Sequence, residues 1–295
     1  MMRPNTIFLI LAMLLSGCSQ DALVFQSDFG TKDGAVASMK GVAVAVSEDL
    51  RIYDLTHEIP AYNIWEAALR LDQTAEYWPP GTVFVSVVDP GVGTERKSVI
   101  LKTRSGHYFV SPDNGTLTFV AENLGIDAVR EIDEVVNRRK NSEASYTFHG
   151  RDVYAYVGAR LAAGVISYEG VGDLLPARVE SIAHQKPAFE DGALRGNIPI
   201  LDVQYGNVWT NIDRSTFQEL GLQHGEVAMV IIRHADETVF ELDVPYHKTF
   251  EKVALGKPLI YLNSLDKVSL ALNQESFAKY FSIESGAGWT IEIRR

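Results

Sequence analysis

The chain has 295 residues, 46 % of them apolar, and a formal net charge of −11. That length buries a large core in one large or two medium domains. The acidic balance weighs against nucleic acid as a partner, and the single cysteine leaves no pair for a disulfide.

In chain order, residues 1–17 read as a secretory signal peptide. Arg3 supplies the positive start and residues 7–15 an apolar run, too short for a membrane-spanning helix of roughly 20 residues. Leu15-Ser16-Gly17-Cys18 resembles a bacterial lipobox, in which the signal is cut before a cysteine that is then lipidated. Acyl chains contribute roughly 0.8 kcal/mol per buried CH₂, so a multiply acylated Cys18 would hold the protein on a membrane through a short tether, residues 18–21. The expected location is the cell envelope, outside the cytoplasm, on the periplasmic face of a membrane where the host has two. A free cysteine after a simple signal is the other reading.

Residues 22–26 form a short apolar strand that empties into a turn at 27–34, and residues 35–46 read as a helix of small apolar residues. A strand at 51–55 and a helix at 63–77 follow; Ile64, Ala67, Ala68 and Leu71 share one face, and Pro79-Pro80-Gly81 stops the helix. The strand at 82–88 is almost wholly apolar or β-branched, as a strand covered on both faces should be. A hairpin at 98–102 and 108–110, a turn at Pro112-Asp113-Asn114-Gly115 and helices at 117–124 and 153–163 complete an α/β domain over residues 22–180, with a mostly parallel sheet. After residues 176–187 the pattern changes to strands at 196–203, 207–212, 226–233, 238–242, 258–262 and 289–293. These predict a smaller all-β, barrel-like domain over 188–295.

Four polar segments end apolar runs: Ser27-Asp28-Phe29-Gly30, Asp89-Pro90-Gly91-Val92-Gly93, His149-Gly150-Arg151-Asp152 and Tyr205-Gly206-Asn207-Val208-Trp209. Strands that empty into such turns build a small-molecule pocket at one sheet edge. Asp28 and Asp33 flank the first turn; a carboxylate there either accepts from ribose hydroxyls or caps the next helix. Asp89 and Arg96 share one loop and pair, either around a water or as a structural ion pair. Gly91 and Gly93 leave room for close approach to a ligand. Among the seven histidines, His149 is the general-base or water-positioning candidate, with Gly150 opening space beside it, although a lone histidine is more often an ordinary polar residue. His57, His107, His184, His224, His234 and His247 are assigned to that ordinary class. Tyr205 and Trp209 could stack on a heterocycle with Asn207 at its edge, a composition that a β-domain stripe shares. No histidine spacing, H-E-x-x-H or C-x-x-C points to a metal, and no G-x-S-x-G points to a serine hydrolase.

As an ordered set these segments resemble the SAM hydroxide adenosyltransferase family, the water-using relatives of fluorinase and chlorinase. The resemblance is also carried by Met39-Lys40-Gly41, Asp54-Leu55-Thr56-His57, Pro112-Asp113-Asn114-Gly115 and Tyr261-Leu262-Asn263-Ser264. It implies S-adenosyl-L-methionine as substrate, hydrolysed to adenosine and methionine with no cofactor, and homotrimers with active sites between subunits. By the same resemblance Asp89, Arg96 and His149 form the water-activating set, and Asp28 binds the ribose. Tyr62 lies beside the sugar and sulfonium. Asp33, Asp202 and Ser264 meet the methionine part, and Tyr205, Asn207 and Trp209 form the adenine pocket. Leu265 and residues 272–274 depart from the family pattern near those last two regions. A halogenase carries a neutral donor, typically Tyr, where this chain has Asp89, and a long insertion between Leu101 and Tyr108 that is absent here. A substrate-binding lipoprotein without catalysis is the alternative from another class, raised by the signal on a chain whose implied substrate is cytoplasmic.

Overall fold

The computed structural model describes residues 22–295, so the signal peptide, the tether through residue 21 and Cys18 lie outside the described residues. β1 (Ala22–Ser27), buried at every position, leads through a turn into α1 (Ala35–Val46), the span its sequence predicts. β2 (Arg51–Thr56), α2 (Ile64–Ala75) and β3 (Val83–Val87) follow. α2 is capped by the Asn63 side chain, which accepts from Glu66 N, and buries Ala67, Ala68, Leu71 and Ala75 as its spacing requires. The hairpin β4 (Ser98–Thr103) and β5 (Tyr108–Pro112) and then α3 (Thr118–Leu124) stand where expected.

Local pattern misses the next elements, β6 (Ile126–Glu131), whose apolar residues are interrupted by three charges, and the single turn α4 (Glu134–Asn137), which is too short to show a period. The helix expected from Val153 starts earlier, as a wide π-helical turn at Gly150–Ala155 that continues into α5 (Tyr156–Ala162). β7 (Leu174–Leu175) then pairs with β6 at the sheet edge.

These strands make one sheet of seven in the order β2-β1-β3-β5-β4-β6-β7. It is parallel from β2 to β5, whereas β4, β6 and β7 extend it antiparallel. Alternate side chains of the central strands enter two cores: Leu23, Phe25, Val83 and Val85 pack toward α1 and α5, Val24 and Phe84 toward α2 and α3. β1 has β2 on one side and β3 on the other, so the chain crosses over at the carboxyl ends of β1 and β3. Such a switch point leaves a crevice for ligands. The amino end of β4, at Ser98, faces Pro112 at the end of β5, and Val99 pairs with Glu131 at the end of β6. The loops that carry Asp28, Asp89, Arg96 and Glu134 therefore gather at one edge.

The carboxyl-terminal part runs β8 (Ala188–Glu190), β9 (Ala193–Asn197), β10 (Ile200–Leu201), β11 (Val208–Asp213), α6 (Arg214–Glu219), β12 (Val227–His234), β13 (Glu237–Pro245), β14 (Pro258–Leu262), β15 (Lys267–Leu272), α7 (Phe277–Phe281) and β16 (Trp289–Arg294). Two antiparallel sheets, β10-β11-β15-β14 and β13-β12-β16-β9-β8, close on one core that includes Val208, Ile232, Phe240, Leu270 and Ile291. The strand expected over 196–203 is broken at Pro199, which has no N–H for a ladder, into β9 and β10. The local pattern does not predict β15. The two parts touch where Trp65 Nε1 donates to Pro199 O at 2.7 Å and Arg70 Nη2 to Leu201 O at 3.1 Å.

Candidate active site

Asp89 leaves β3 through Val88, whose carbonyl accepts from Asn114 Nδ2 at 2.9 Å, so the Pro112–Gly115 turn braces the strand end. The Asp89 carboxylate is gripped by Arg96, with Nε 2.9 Å from Oδ1 and Nη2 2.5 Å from Oδ2. Their side chains are only 5 % and 11 % exposed, and such a two-pronged pair is among the stronger charge-assisted contacts. Burial opposes the guanidinium charge, yet the Asp89 contact overrides it and holds Arg96 above its ordinary value. Gly91 serves the pair itself: a Cβ there would press on Thr94 Oγ1 and Arg96 Cγ, at 3.3 and 3.4 Å.

Two residues that sequence reasoning missed connect this pair to His149. Arg96 Nη1 donates to Ser98 Oγ at 3.1 Å, and Ser98 Oγ donates to Glu134 Oε1 at 2.8 Å. Tyr154 Oη lies 3.0 Å from the same hydroxyl. Glu134 Oε2 stands 3.3 Å from His149 Nε2 and accepts from Arg138 Nη1 at 3.2 Å. The His149 contact, aided by Ser98 and Arg138 against partial burial, draws the Glu134 carboxyl down to about 2. Burial, with Asp89 and Glu134 nearby, pushes the Tyr154 phenol above its ordinary value, so it stays a neutral donor. His149 is buried, and its Nδ1 has no partner among the described residues. An orphaned buried nitrogen costs roughly 1–3 kcal/mol, which makes it a marker of function.

Gly150 does not open space beside His149, contrary to the sequence expectation. A Cβ on it would meet the Phe29 ring at 3.0 Å, so Gly150 lets the Asp28–Phe29 turn pack against the π-helical turn. Asp152 is fully buried and binds Arg139 and Arg151 at 2.9 and 2.8 Å, which anchors the His149 segment.

Asp28, at the end of β1, accepts from the backbone N of Tyr62 at 2.8 Å through Oδ2. That bond holds Tyr62 at φ 67°, with the residue 72 % exposed. Beneath Asp28, Ser27 Oγ lies 2.7 Å from His57 Nδ1, and His57 Nε2 lies 3.0 Å from Asp54 Oδ1. His57 is thus a buried brace for the first turn. Asp33 is exposed and accepts from Ala35 N at 2.9 Å, which closes the turn that leads into α1.

In the carboxyl-terminal part, Asp202 Oδ2 accepts from Asn207 Nδ2 at 3.2 Å and its backbone closes the same turn with Gly206 and Asn207. Tyr205 projects from that turn, 69 % exposed, and Ser264 is exposed ahead of β15. Trp209 borders a cavity of about 520 Å³ between the two parts, together with Trp65, Phe119 and Leu265. Asp28, Asp89, Arg96, His149, Tyr205 and Asn207 are not among the residues lining it. Within one chain Asp89, Arg96 and His149 are joined in one network through Ser98 and Glu134, and among the described residues no hydrogen bond or ion pair ties Asp202, Tyr205 or Asn207 to it. Among the described residues no group of three or more His, Cys, Asp and Glu side chains could hold a metal ion.

An open α/β sheet with a clamped carboxylate and a buried histidine at its switch point defines an α/β enzyme with a small-molecule site. Comparison with known proteins narrows this. The SAM hydroxide adenosyltransferase N-terminal domain matches residues 23–172, and the C-terminal domain of the same family matches residues 196–290. The chain belongs to this family. It is 38 % identical over 218 residues to an (R)-S-adenosyl-L-methionine hydrolase of Methanocaldococcus jannaschii, covering 72 % of this chain and 74 % of that one. A fluorinase of Actinopolyspora mzabensis is 28 % identical over 295 residues, covering 91 % and 96 %. The crystal structure of an uncharacterized conserved protein from Thermotoga maritima superposes with a TM-score of 0.84 at 36 % identity, covering 92 % of this chain and 100 % of that one.

Proposed function

We propose that this protein hydrolyses S-adenosyl-L-methionine to adenosine and L-methionine. The observation that carries the reading is the buried network joining Asp89, Arg96 and His149 at the switch point, in a chain of this family. A sulfonium is already a good leaving group, so the reaction needs a water held in line with the 5′ carbon and a site for its proton. In this reading Asp89 and Arg96 position the water and His149 stands beside them. Water attacks C5′, the C5′–S bond breaks with its electron pair on sulfur, and one proton leaves the attacking oxygen. The acidic side chains Asp28, Asp33 and Asp202 suit a cationic substrate.

The separation of Tyr205, Asn207 and Asp202 from the His149 network fits a homotrimer in which one subunit's carboxyl-terminal turn completes a neighbour's site. The exposed Tyr62 and Tyr205 side chains and Val203 support that arrangement. We further read residues 22–180 and 188–295 as two folding domains, and Cys18 as a lipid anchor on the outer side of a membrane.

The test is incubation of the purified protein with S-adenosyl-L-methionine in ¹⁸O-water, with products identified by mass. Adenosine carrying the label at its 5′ oxygen is the expected result. Binding without turnover would favour a receptor, and 5′-chloroadenosine formed in chloride would favour a halogenase.

A further inference from the structure

Asp89 and His149 are the two candidates for taking the proton from the attacking water, and their surroundings differ. Each Asp89 oxygen already accepts from Arg96, with a third contact of 3.1 Å from Nε to Oδ2. With both oxygens engaged by the Arg96 guanidinium, Asp89 is suited to holding the water rather than to taking its proton. His149 has one nitrogen occupied and one free: Nε2 faces Glu134, and Nδ1 is buried without a partner.

We propose that Glu134 is a positioning residue that holds His149 as the Nε2–H tautomer, leaving Nδ1 as the proton acceptor in the hydrolytic step. The assignment rests on the hydrolase reading above. Glu134 reaches His149 from the turn α4, and Ser98 fixes its other oxygen. Ser98 Oγ has one proton, which goes to Glu134 Oε1; its lone pairs accept from Arg96 Nη1 and from Tyr154 Oη. The hydroxyl therefore ties the base and its orienting carboxylate to the water-holding pair. As C5′–O forms and C5′–S breaks, the water proton passes to Nδ1 and the resulting imidazolium is stabilised by the Glu134 carboxylate. A carboxylate behind an imidazole sets tautomer and cation stability in this way in triad-type sites.

The charged and titratable groups around His149 are Glu134 and Arg138, the Asp89–Arg96 pair beyond Ser98, and the Tyr154 and Tyr146 rings. Of these, Glu134 is the anion in direct contact, 3.3 Å from Nε2.

The experiment compares wild type with Glu134→Gln, which preserves shape and removes the charge. kcat should fall about 10-fold to 100-fold, less than the roughly 10² to 10⁴ of losing a base outright. KM for S-adenosyl-L-methionine should stay within about threefold, and the acidic limb of the kcat–pH profile should move to lower pH. Glu134→Asp, which keeps the charge, should recover part of the loss. In ¹⁵N-histidine-labelled protein, with the His149 signals identified by their loss in His149→Gln, neutral wild type should show a protonated Nε2 and a bare Nδ1. A protonated Nδ1 there overturns the proposal. So does Glu134→Gln protein that matches an active wild type in kcat and pH limb, and this leaves the hydrolase reading intact. A wild type with no turnover overturns the hydrolase reading, and the proton acceptor with it.

Discussion

Arg96 and Asp89 form a closed ion pair whose two ends are almost hidden from solvent, seven residues apart on the loop that leaves β3. Gly91 packs over it and Ser98 continues it toward Glu134. The pair is at once a structural clasp of that loop and the part of the network nearest the switch point. Its two roles can be separated by mutation.

Asp89→Asn removes the charge but keeps the shape. Turnover should drop roughly 10²-fold or more if Asp89 positions the water. Arg96 would then be buried against a neutral amide, so the melting temperature should also fall, as breaking a buried pair costs about 3–5 kcal/mol. Kinetics and calorimetry on the same sample check both. A fully active Asp89→Asn protein would show that the pair is structural only.

Asp28 predicts a different signature. Ribose hydroxyls change little during the reaction, so Asp28→Ala should raise KM about tenfold and leave kcat within a few-fold. It also frees the Tyr62 backbone N that Oδ2 now binds. Asp28→Asn can still accept from that N–H, so comparing the two variants by calorimetric titration separates loop support from substrate contact.

Acid sensitivity should report Glu134. Its carboxyl lies at about 2 in the folded protein against an ordinary 4.5, so the unfolded chain binds more protons between those values. The stability that this group contributes is complete above about pH 4.5 and is lost as pH falls toward 2. Allowing for solvent screening, that is on the order of 1 kcal/mol. Glu134→Gln should be less stable than wild type at pH 7, with the two urea-unfolding curves converging as pH falls. Parallel curves would show that Glu134 is not held by His149 in solution.

Gly158 tests the packing that carries the site. A Cβ there would overlap Val85 Cγ2 of β3, with Leu23 Cδ1 of β1 3.4 Å away, so α5 lies directly on the strands that end at Asp28 and Asp89. Gly158→Ala should destabilise by about 1–3 kcal/mol, measured by urea unfolding, with activity per folded molecule retained.

The proposed anchor has its own test. Full-length protein expressed in a bacterial host should appear in the membrane fraction with an acylated Cys18 at its mature amino terminus, and Cys18→Ser should not. Unprocessed protein in the soluble fraction would remove the anchor and, with it, the conflict between an external enzyme and a cytoplasmic substrate.

Much of the amino-terminal fold was legible because its signals are local. The α1 span, the apolar β1 and β3 and the capped α2 each follow from residue spacing within a dozen positions. The Asp89–Arg96 pair was legible for the same reason, since one loop brings it together. β15 alternates less plainly, because all but its first residue are buried, and Pro199 divides a run that reads as one strand.

By itself the sequence determined the α/β order, the place where the pattern turns to strands, and the polar turns that end β1 and β3. Tertiary structure alone decided how those turns meet. The contact between Glu134 and His149 spans fifteen residues with no periodic pattern, and Ser98 becomes a junction only because β4 runs antiparallel to β5. Gly150 makes room for the Phe29 ring rather than beside His149, and His57, an ordinary polar histidine by its sequence, acquires its bracing place only from Ser27 and Asp54. A polar side chain carries no local mark of whether it will be buried or what it will face. Long-range strand pairing decides that, and it is the contacts it creates with His149, Ser98 and Arg138 that turn an ordinary glutamate into a partner for a histidine.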